Sequence, residues 1–545
     1  MDEYEKGKLQ TKRHIRIMRM LLKYYGYDNF KPNQYLIINQ ILNGYDVCAV
    51  LPTGYGKSLT FQMPAIYLDK PAVIICPLIS LMEDQQIILK KLGLKSVCFN
   101  SNLEDKIGVK QDILKGVYKF VYITPESIVN FGRFLVEMER TIGISLIAID
   151  EAHCISAFGY DFRTSYRGLK FLKDVLPDTP IVALTATATP VVAKDICNVL
   201  QLETKGGIIR SSFDRTNLYI EVNKRTKEMR NDLLPLIKKF QENSIIIYCL
   251  TIKDTEKIAE YLKSQEINCA YYHGKLSNET RSKIHKKFLD DTCKCIIATN
   301  AFGMGINKIN VRLVIHYGCP RNIESYYQEI GRAGRDLKNS YCYLFYSPKD
   351  FMIQQYHIEN SDNKDPTYKK NQYRLLQTMR DYVNSVTCRK KIILNYFDEE
   401  REGGCDKCDV CTPGKGIGKK KIDAKEQSVK KEAMMLFKLM EKMSSFGATM
   451  YIDILRGSNG QKIKPFMKEF VEYNKGHHHT KEWWKELFEH LTRDRYIQPK
   501  RISPTIFVLE LTRLGIDIIT DEETRKILGA EPLARIPKYA MRTEI

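Results

Sequence analysis

The feature that most constrains the fold is a repeated series of short apolar runs, separated by helix-length segments, between about residues 40 and 350. Runs that are apolar on both faces are typical of strands buried between helix layers, as in parallel sheets. The series spans more residues than one compact core usually holds, so it predicts an α/β fold with two parallel-sheet lobes. The seven predicted strands lie in PAVIICP, FVYITP, SLIAIDEAH, TPIVALTATA, NSIIIYCL, CKCIIATN and RLVIHYG.

Charge adds a constraint on the partner. The 545-residue chain has a formal net charge of +20, which favours a polyanionic partner such as nucleic acid. The alternative interpretation is a lysine-rich surface with no such partner. The chain is 28% charged and 43% hydrophobic, an ordinary mixture for domains that fold in water.

Targeting signals are not evident. The opening MDEYEKGKLQ lacks the apolar core of a signal peptide, and PAVIICPLISLM from Pro71 is too short to span a bilayer. We therefore expect a soluble, intracellular protein without a membrane partner, in the nucleus, the cytoplasm or a viral factory. The fifteen cysteines lie mostly in apolar runs and are expected to be reduced.

The segment LPTGYGKSLTFQ has the order strand, glycine turn, helix that suits a phosphate-binding loop. Lys57 would reach the β and γ phosphates of a nucleotide, and Ser58 would ligate Mg²⁺. Leu51 occupies the position where the full P-loop pattern has glycine, so on its own the segment leaves open a loop without nucleotide. The predicted nucleotide-binding residues of this loop are Pro52, Thr53, Gly54, Tyr55, Gly56, Lys57 and Ser58.

Two acids end the predicted strand in SLIAIDEAH. Asp150 would hold Mg²⁺, and Glu151 would orient and deprotonate an attacking water, since ligands bind at the carboxyl ends of parallel strands. The alternative is two solvated acids at a helix start, where negative charge is favourable. The joint occurrence of these acids and the Gly-Lys-Ser loop favours nucleotide hydrolysis.

With these motifs, the chain from about Tyr25 to Thr520 resembles the RecQ branch of superfamily-two helicases. That superfamily uses Thr-Gly-x-Gly-Lys-Ser/Thr without the earlier glycine, which accounts for Leu51. The resemblance implies two tandem RecA-like lobes, a zinc-binding helical module and a winged helix. The expected limits are 1–210 for the first lobe, 211–350 for the second lobe, 351–420 for the zinc module, 421–525 for the winged helix and 526–545 for a tail.

The resemblance also assigns residues of the first lobe. In YGYDNFKPNQ, Tyr27 would stack on adenine and Gln34 would hydrogen-bond the edge of the base. Lys31 replaces the usual arginine and lacks the planar guanidinium group that makes paired hydrogen bonds. CPLISLMEDQ and ITPES resemble loops that grip the nucleic-acid strand, and ALTATA resembles the motif that links hydrolysis to lobe movement.

CISAFGYDFRTSY resembles the aromatic-rich loop of the family. Phe158, Phe162 and Arg163 would contact bases and signal strand occupancy to the ATP site. Ala157, Phe158 and Tyr160 stand where the family usually has Gln, Trp and His. The alternative is that these aromatics pack between the lobes.

In the second lobe, YYHGKL, IIATNAFGMGINK and YYQEIGRAGRD resemble the remaining helicase motifs. Arg332 and Arg335 would offset the charge that develops on the γ phosphate, and Gln328 would help to place the attacking water. The alternative is a surface helix with two ordinary arginines.

Four cysteines, Cys388, Cys405, Cys408 and Cys411, include a C-x-x-C-x-x-C cluster. Four thiolates suit a closed structural Zn²⁺ site, which has no catalytic position, and an iron–sulfur cluster is the alternative. The resemblance implies zinc.

Past residue 421, Val429, Ala433, Leu436, Met440 and Met443 share one helical face, and a hairpin is expected in RYIQPKRISPTIFVLEL. Thr480 is the expected N-cap of a helix. The hairpin tip carries Ile502 and Pro504 where many relatives have an aromatic wedge. The histidines of NKGHHHTKEWW are interpreted as a loop, with metal binding as the alternative.

The predicted function is an ATP-dependent DNA helicase that moves 3′ to 5′, the polarity following from the resemblance alone, and acts in DNA repair, recombination or replication. Its expected cofactors are ATP, Mg²⁺ and Zn²⁺, and its expected partners are single-stranded and forked DNA, with the protein acting as a monomer. An RNA helicase or RNA-stimulated ATPase is the alternative. A non-catalytic scaffold is disfavoured by the complete set of hydrolytic residues.

Overall fold

The structure, a computed structural model, divides the chain into two compact units, residues 1–417 and residues 418–545. It describes residues 3–100, 103–156, 158–159, 161–303, 308–361, 363, 365–385, 387–412, 424–443, 446–461, 463–503, 506–528 and 539–542. Ala157, Tyr160, Pro504, residues 304–307 and residues 413–423 therefore lie outside the described residues.

The first lobe is a seven-stranded parallel sheet of order β3-β4-β2-β5-β6-β1-β7. Five of its strands are buried along their whole length, as expected for runs that are apolar on both faces. Its strands are β1 (Val47–Val50), β2 (Ala72–Ile75), β3 (Ser96–Phe99), β4 (Phe120–Ile123), β5 (Leu146–Ile149), β6 (Ile181–Thr185) and β7 (Ile209–Arg210).

Helices pack on both faces of this sheet, and several begin at sequence signals for a cap. Thr189, for example, accepts a hydrogen bond from the Val192 backbone N–H and is followed by Pro190 in the first turn. The helices are α1 (Glu3–Tyr25), α2 (Gln34–Leu42), α3 (Lys57–Leu68), α4 (Ile79–Lys91), α5 (Lys106–Leu114), α6 (Pro125–Ile128), α7 (Gly132–Ile142), α8 (Thr164–Arg167), α9 (Phe171–Val175) and α10 (Pro190–Leu200), with short 3₁₀ turns at Val129–Phe131, Ala152–Ile155 and Gly168–Lys170.

The second lobe is a six-stranded parallel sheet of order β10-β11-β9-β12-β13-β8. All seven strands predicted from apolar runs are present in the two sheets. The predicted boundary at 210/211 stays a prediction; the first sheet ends at Arg210 and the second begins at Leu218. The elements are β8 (Leu218–Lys224), α11 (Met229–Lys239), β9 (Ser244–Cys249), α12 (Ile252–Ser264), β10 (Cys269–Tyr272), α13 (Asn278–Leu289), β11 (Cys295–Ala298), β12 (Val311–Tyr317), α14 (Ile323–Ile330) and β13 (Ser340–Tyr346).

Three helices follow, α15 (Pro348–Glu359), α16 (Pro366–Asn384) and α17 (Arg389–Tyr396). The cysteine-rich turn after α17 joins the outer strand of the second sheet. Ile220 of β8 donates its backbone N–H to Lys407 O at 3.0 Å and accepts from Asp409 N at 3.0 Å. Arg389 and Asp409 form an ion pair with N–O distances of 3.0 to 3.3 Å. The cysteine turn is thereby fixed to the second lobe.

The second unit has its own core, which includes Val429, Ala433, Leu436, Met440 and Met443, the predicted helical face. Thr480 caps its helix as predicted, accepting from Trp483 N at 3.1 Å. The predicted hairpin is antiparallel. The elements are β14 (Ala424–Gln427), α18 (Lys430–Lys442), α19 (Ala448–Leu455), a 3₁₀ turn at Pro465–Glu469, α20 (Lys481–Arg493), β15 (Ile497–Ser503), β16 (Ile506–Leu511), α21 (Arg513–Leu528) and β17 (Tyr539–Arg542).

One expectation for the C-terminus differs from the structure. Residues 526–545 were expected to form a tail, but β17 pairs antiparallel with β14 over four residues, and α21 continues to Leu528. The pairing joins segments more than 100 residues apart, so no local sequence signal indicates it. No helix among the described residues has both the length and the apolar character needed to cross a bilayer.

Candidate active site

The phosphate loop lies between β1 and α3, at the carboxyl end of the first sheet. Gly54 and Gly56 have φ values of +79° and +88°, which glycine adopts without steric cost. A Cβ at Gly56 would lie 2.7 Å from Nε2 of Gln34, so a larger residue here would displace the Gln34 amide from the loop. Lys57 and Ser58 then open α3, and their side chains are half-buried beside the loop.

The segment predicted to bind adenine packs directly on this loop. Gln34 donates from Nε2 to Tyr55 O at 2.9 Å and to Gly56 O at 3.2 Å, and Lys31 donates from Nζ to Gly54 O at 3.0 Å. Tyr27 is 57% exposed and stacks on Tyr25 with ring centroids 6.5 Å apart. The open face of Tyr27 is available to a base, and the adenine-reading roles stay predictions.

Asp150 and Glu151 follow β5 and lie near Lys57. Burial, followed by repulsion from the Glu151 carboxylate, raises the pKa of Asp150 to about 6. Burial also favours the neutral form of Glu151, but the contact with His153 and the Lys57 charge outweigh it and lower the pKa of Glu151 to about 2. Glu151 therefore holds its negative charge at neutral pH.

The backbone at Glu151 is in the left-handed region, with φ +50°. This conformation is costly for a non-glycine residue and persists where the surroundings fix it. His153, which is fully buried, supplies part of that constraint. Its Nδ1 lies 3.3 Å from Glu151 Oε2 and 2.9 Å from Thr185 Oγ1 on β6.

The second lobe brings arginines to the same place. Arg332 is buried, and its charge is close enough to lower the pKa of Glu151. A Cβ at Gly54 would lie 3.1 Å from Cγ of Arg335, so the Arg335 side chain lies on the phosphate loop. Burial, then repulsion from Arg332 and Arg215, lowers the pKa of Arg335 to about 9. Gln328 is half-buried on α14, one turn before Arg332.

Sequence reasoning missed Arg215, which lies in the segment between the lobes. Arg215 Nη1 donates to Thr53 O of the phosphate loop at 3.4 Å and to Gly331 O at 3.3 Å. Its Nη2 donates to Ala333 O and Gly334 O, both at 2.9 Å. Arg215 thus joins the phosphate loop to the arginine segment. Its position in RSSFDRTN gave no motif signal, because the contacts are made across the fold.

The site fits a magnesium nucleotide by its unsatisfied donors and its charges. Among the described residues, the buried atoms Thr53 Oγ1 and Arg332 Nε have no hydrogen-bond partner, although such groups are normally paired. Arg332 and Arg215 both repel the charge of Arg335. Ser58 and Asp150 offer the oxygen ligands that Mg²⁺ prefers.

The aromatic-rich loop follows His153 and reaches two other regions. Phe158 is 51% exposed, and its carbonyl accepts from Asn371 Nδ2 on α16 at 3.1 Å. Arg163 pairs with Asp161 at 3.3 Å and donates to Pro77 O in the CPLISLMEDQ segment at 3.4 Å. Phe162 is half-buried. The loop therefore contacts both a predicted strand-gripping segment and the helix before the cysteines, and its base contacts stay predictions.

The four cysteines of the predicted metal site come together. The sulfur atoms of Cys388, Cys405, Cys408 and Cys411 all lie within 4.8 Å of one another. Backbone N–H groups of Cys405 and Cys411 donate to Cys411 Sγ at 3.3 Å and to Cys408 Sγ at 3.4 Å. Such donors stabilise thiolates, and four thiolates with this spacing fit a tetrahedral Zn²⁺ ion.

Comparison with family models assigns the two lobes. Residues 31–196 match a DEAD/DEAH box helicase model, and residues 228–336 match a helicase conserved C-terminal domain. Together with the interlobe site, these matches define the chain as a two-lobed, ATP-dependent helicase. Residues 348–412 match a RecQ zinc-binding model, which confirms zinc over an iron–sulfur cluster, and residues 423–530 match an RQC domain.

Whole-chain relatives agree with the domain order. A putative ATP-dependent RNA helicase R290 of Acanthamoeba polyphaga mimivirus is 52% identical over 534 residues, covering 97% of each chain. The ATP-dependent DNA helicase RecQ of Bacillus subtilis (strain 168) is 35% identical over 504 residues, covering 90% of this chain and 82% of the relative. The chain belongs to the RecQ family of helicases.

Structural comparison shows the fold. The Mycobacterium smegmatis helicase Lhr, solved with single-stranded DNA and AMP-PNP, aligns with a TM-score of 0.51 and 14% identity. The alignment covers 92% of this chain and 61% of that chain. At this identity the match supports the tandem-lobe architecture alone.

Proposed function

We propose that this chain is an ATP-dependent DNA helicase that moves 3′ to 5′ along one strand and separates duplex DNA. The observation that carries the proposal is the position of Arg215, Arg332 and Arg335 against the phosphate loop of the other lobe, beside Asp150 and Glu151. Three arginines gathered at a phosphate loop favour a phosphate chain as their shared ligand.

Each residue then has one task in hydrolysis. The loop from Pro52 to Gly56 surrounds the phosphates with backbone N–H groups, and Lys57 neutralises their charge. Glu151, ionised and fixed by His153, accepts the proton of the attacking water, which Gln328 helps to place. Arg332 and Arg335 stabilise the charge that develops at the γ phosphate.

Ser58 and Asp150 would hold Mg²⁺, which when bound neutralises charge on the β and γ phosphates. Burial raises the pKa of Asp150 and so disfavours its ionised carboxylate. A bound cation would offset this cost. Asp150 therefore favours a cation at this position, whereas Glu151 stays ionised because its contact with His153 lowers its pKa. The two adjacent acids are in this way suited to different tasks.

Hydrolysis is coupled to movement through the lobes. Arg215 and Arg335 contact the phosphate loop only while the lobes are together, and loss of the γ phosphate removes the anion that offsets their repulsion. Phe158, Phe162 and Arg163 follow His153 in the chain, and Arg163 contacts Pro77 of the predicted strand-gripping segment, so we infer that strand occupancy is relayed to Glu151. The 3′-to-5′ polarity and action as a monomer follow from family membership and stay proposals.

DNA is the proposed substrate because the lobes are followed by the zinc-binding and RQC domains of the RecQ family. RNA is a second candidate, since the mimivirus relative at 52% identity is named a putative RNA helicase. Roles in DNA repair, recombination or replication accompany the first candidate.

The deciding experiment compares ATP hydrolysis with single-stranded DNA and RNA of equal length. Strand separation is measured in parallel on forked duplexes carrying a 3′ tail or a 5′ tail. We expect stronger stimulation by DNA, and separation only with a 3′ tail. Stronger stimulation by RNA, with separation of RNA duplexes, would favour the second candidate, and a lack of hydrolysis with either polymer would overturn both.

A further inference from the structure

The second unit contains a cluster of side chains that the helicase reaction does not use. Glu432 lies in the first turn of α18, and His478 and His479 end the loop before α20. One ligand atom from each of the three residues lies within 4.8 Å of the other two. Glu432 Oε1 is 3.5 Å from His479 Nε2. Two imidazoles and a carboxylate are a common donor set for transition metals.

The loop that carries the histidines is held in place by backbone contacts. Asn474 N donates to Ile454 O at 3.0 Å, and Gly476 N donates to Leu455 O at 2.7 Å. Trp484 Nε1, which is buried, donates to Gly476 O at 2.9 Å. A Cβ at Gly476 would lie 2.4 Å from the Trp484 ring, so this close approach requires glycine. The histidine run is therefore anchored at its start.

The ring of His479 is also fixed. It stacks on Trp483 with ring centroids 3.5 Å apart and an interplanar angle of 4°. Arg456 Nε donates to the His479 backbone carbonyl at 3.0 Å. His478, by contrast, is exposed, and its ring centroid lies 4.2 Å from that of His479. One ligand is thus held in position and its neighbour is able to turn toward it.

We propose that Glu432, His478 and His479 form a binding site for a divalent transition-metal ion such as zinc. Zinc bonds of about 2.0–2.1 Å place neighbouring ligand atoms about 3.3 Å apart in a tetrahedral site. The Glu432–His479 separation is already near this value. Rotation of the exposed His478 ring supplies the remaining approach without movement of the backbone.

The site would tie the start of α18 to the loop before α20. A metal that links two segments of one unit stabilises the folded form, because the unfolded chain has no preformed site. Three protein ligands leave one coordination position, which a water molecule fills. Magnesium and calcium are disfavoured, since they prefer all-oxygen sites.

Two alternatives to a specific metal site would also bring these three side chains together. A plain ion pair between Glu432 and protonated His479 needs no metal. A run of adjacent histidines can also capture metal from solution, and such capture would depend on His477 as much as on His478. His477 is outside the cluster, and its Nδ1 lies 2.7 Å from the Asn474 carbonyl.

The test uses the tag-free full-length chain with its cysteine site already filled with zinc and excess metal removed. Titration calorimetry with Zn²⁺ should show that one further equivalent of zinc binds. A thermal scan should show a higher melting temperature with the added zinc than without it. His478→Ala, Glu432→Gln and His479→Phe should each weaken this binding at least about tenfold. His479→Phe keeps an aromatic ring on Trp483. Cooperative unfolding followed by tryptophan fluorescence, without added zinc, shows that each variant is folded, because both tryptophans of the chain, Trp483 and Trp484, lie in the second unit.

His477→Ala is the matched control and should leave the affinity for zinc unchanged. Titration with Co²⁺ gives a second measurement, since an imidazole and carboxylate site lacks the thiolate absorption of the cysteine site. The proposal is overturned if no further equivalent binds, or if His477→Ala weakens binding as much as His478→Ala. Either result is independent of the helicase activity.

Discussion

The two halves of the active site differ in how their charges are balanced. In the first lobe, Lys57 faces Asp150 and Glu151, and Glu151 also pairs with His153. In the second lobe, Arg332 is buried and Arg335 is half-buried, and both Arg332 and Arg215 repel the charge of Arg335. The first half is close to neutral by itself, whereas the second half carries an excess of positive charge.

This difference indicates how each half contributes to the free energy of nucleotide binding. In the proposed mechanism the first half would hold a magnesium nucleotide with its own ligands. The second half is stabilised only when an anion with several charges contacts its arginines. Its interaction with the nucleotide therefore favours the closed arrangement of the lobes. Variants of the two halves should therefore fail in different ways.

The largest effect is expected for the first half. Lys57→Ala removes the cation at the start of α3, so ATP hydrolysis should fall to background. Binding of single-stranded DNA in the absence of ATP should be largely kept, because the role proposed for Lys57 is in binding the nucleotide. Steady-state hydrolysis and fluorescence anisotropy measure the two properties. Turnover at the wild-type rate would contradict the assignment of this loop.

Arg332→Ala should lower kcat by about 10³–10⁵-fold, because an arginine at the γ phosphate acts mainly in the transition state. The affinity for ATP should change much less than it does in Lys57→Ala. Arg332→Lys should restore little activity, since lysine lacks the planar fork. If Arg332→Ala instead lost affinity for ATP and kept the wild-type kcat, both halves of the site would act in binding ATP rather than in stabilising the transition state.

Arg215→Ala should lower kcat/KM by about 10–100-fold, since hydrogen bonds of a charged group contribute roughly 1.5–3 kcal/mol. Its loss removes contacts to Thr53 on one lobe and to Gly331, Ala333 and Gly334 on the other. Arg230→Ala removes the same charge from an exposed position of the second lobe, where Arg230 pairs with Glu228, and is the matched control. Equal effects of the two variants would argue against a specific link between the lobes.

The smallest effect on hydrolysis is expected at the cysteine site, which packs on β8 and whose cysteines are not among the charged groups of either half. Cys408→Ser should release zinc and give poorly soluble protein. The soluble fraction should hydrolyse ATP within a few-fold of the wild-type rate. Metal analysis and specific activity are the measurements, and wild-type protein without zinc would refute the site.

Much of the fold could be predicted from sequence because its signals are local. Each buried strand, such as β5 or β9, is a continuous apolar run, and the loop at Gly54 and Gly56 depends on a glycine turn between strand and helix. The four cysteines were found by spacing. Thr480 was found as an N-cap because capping residues act within one helical turn.

Contacts across the fold could not be predicted in this way. Arg215 has no motif, and its role is visible only when the phosphate loop and the arginine segment are seen side by side. The left-handed backbone of Glu151 is imposed by its surroundings, since Glu has no preference for that conformation. The pairing of β14 with β17 depends on two short segments far apart in the chain.

The bonds of Ile220 to Lys407 and Asp409 have one more consequence. β8 is the outermost strand of its sheet, and exposed outer strands are templates on which other chains can add. The cysteine turn covers part of that edge, and a zinc ion bound to its four sulfur atoms would stabilise the turn. A chelator or an oxidant that strips the zinc would therefore expose backbone groups on β8, and self-association should rise before either lobe unfolds.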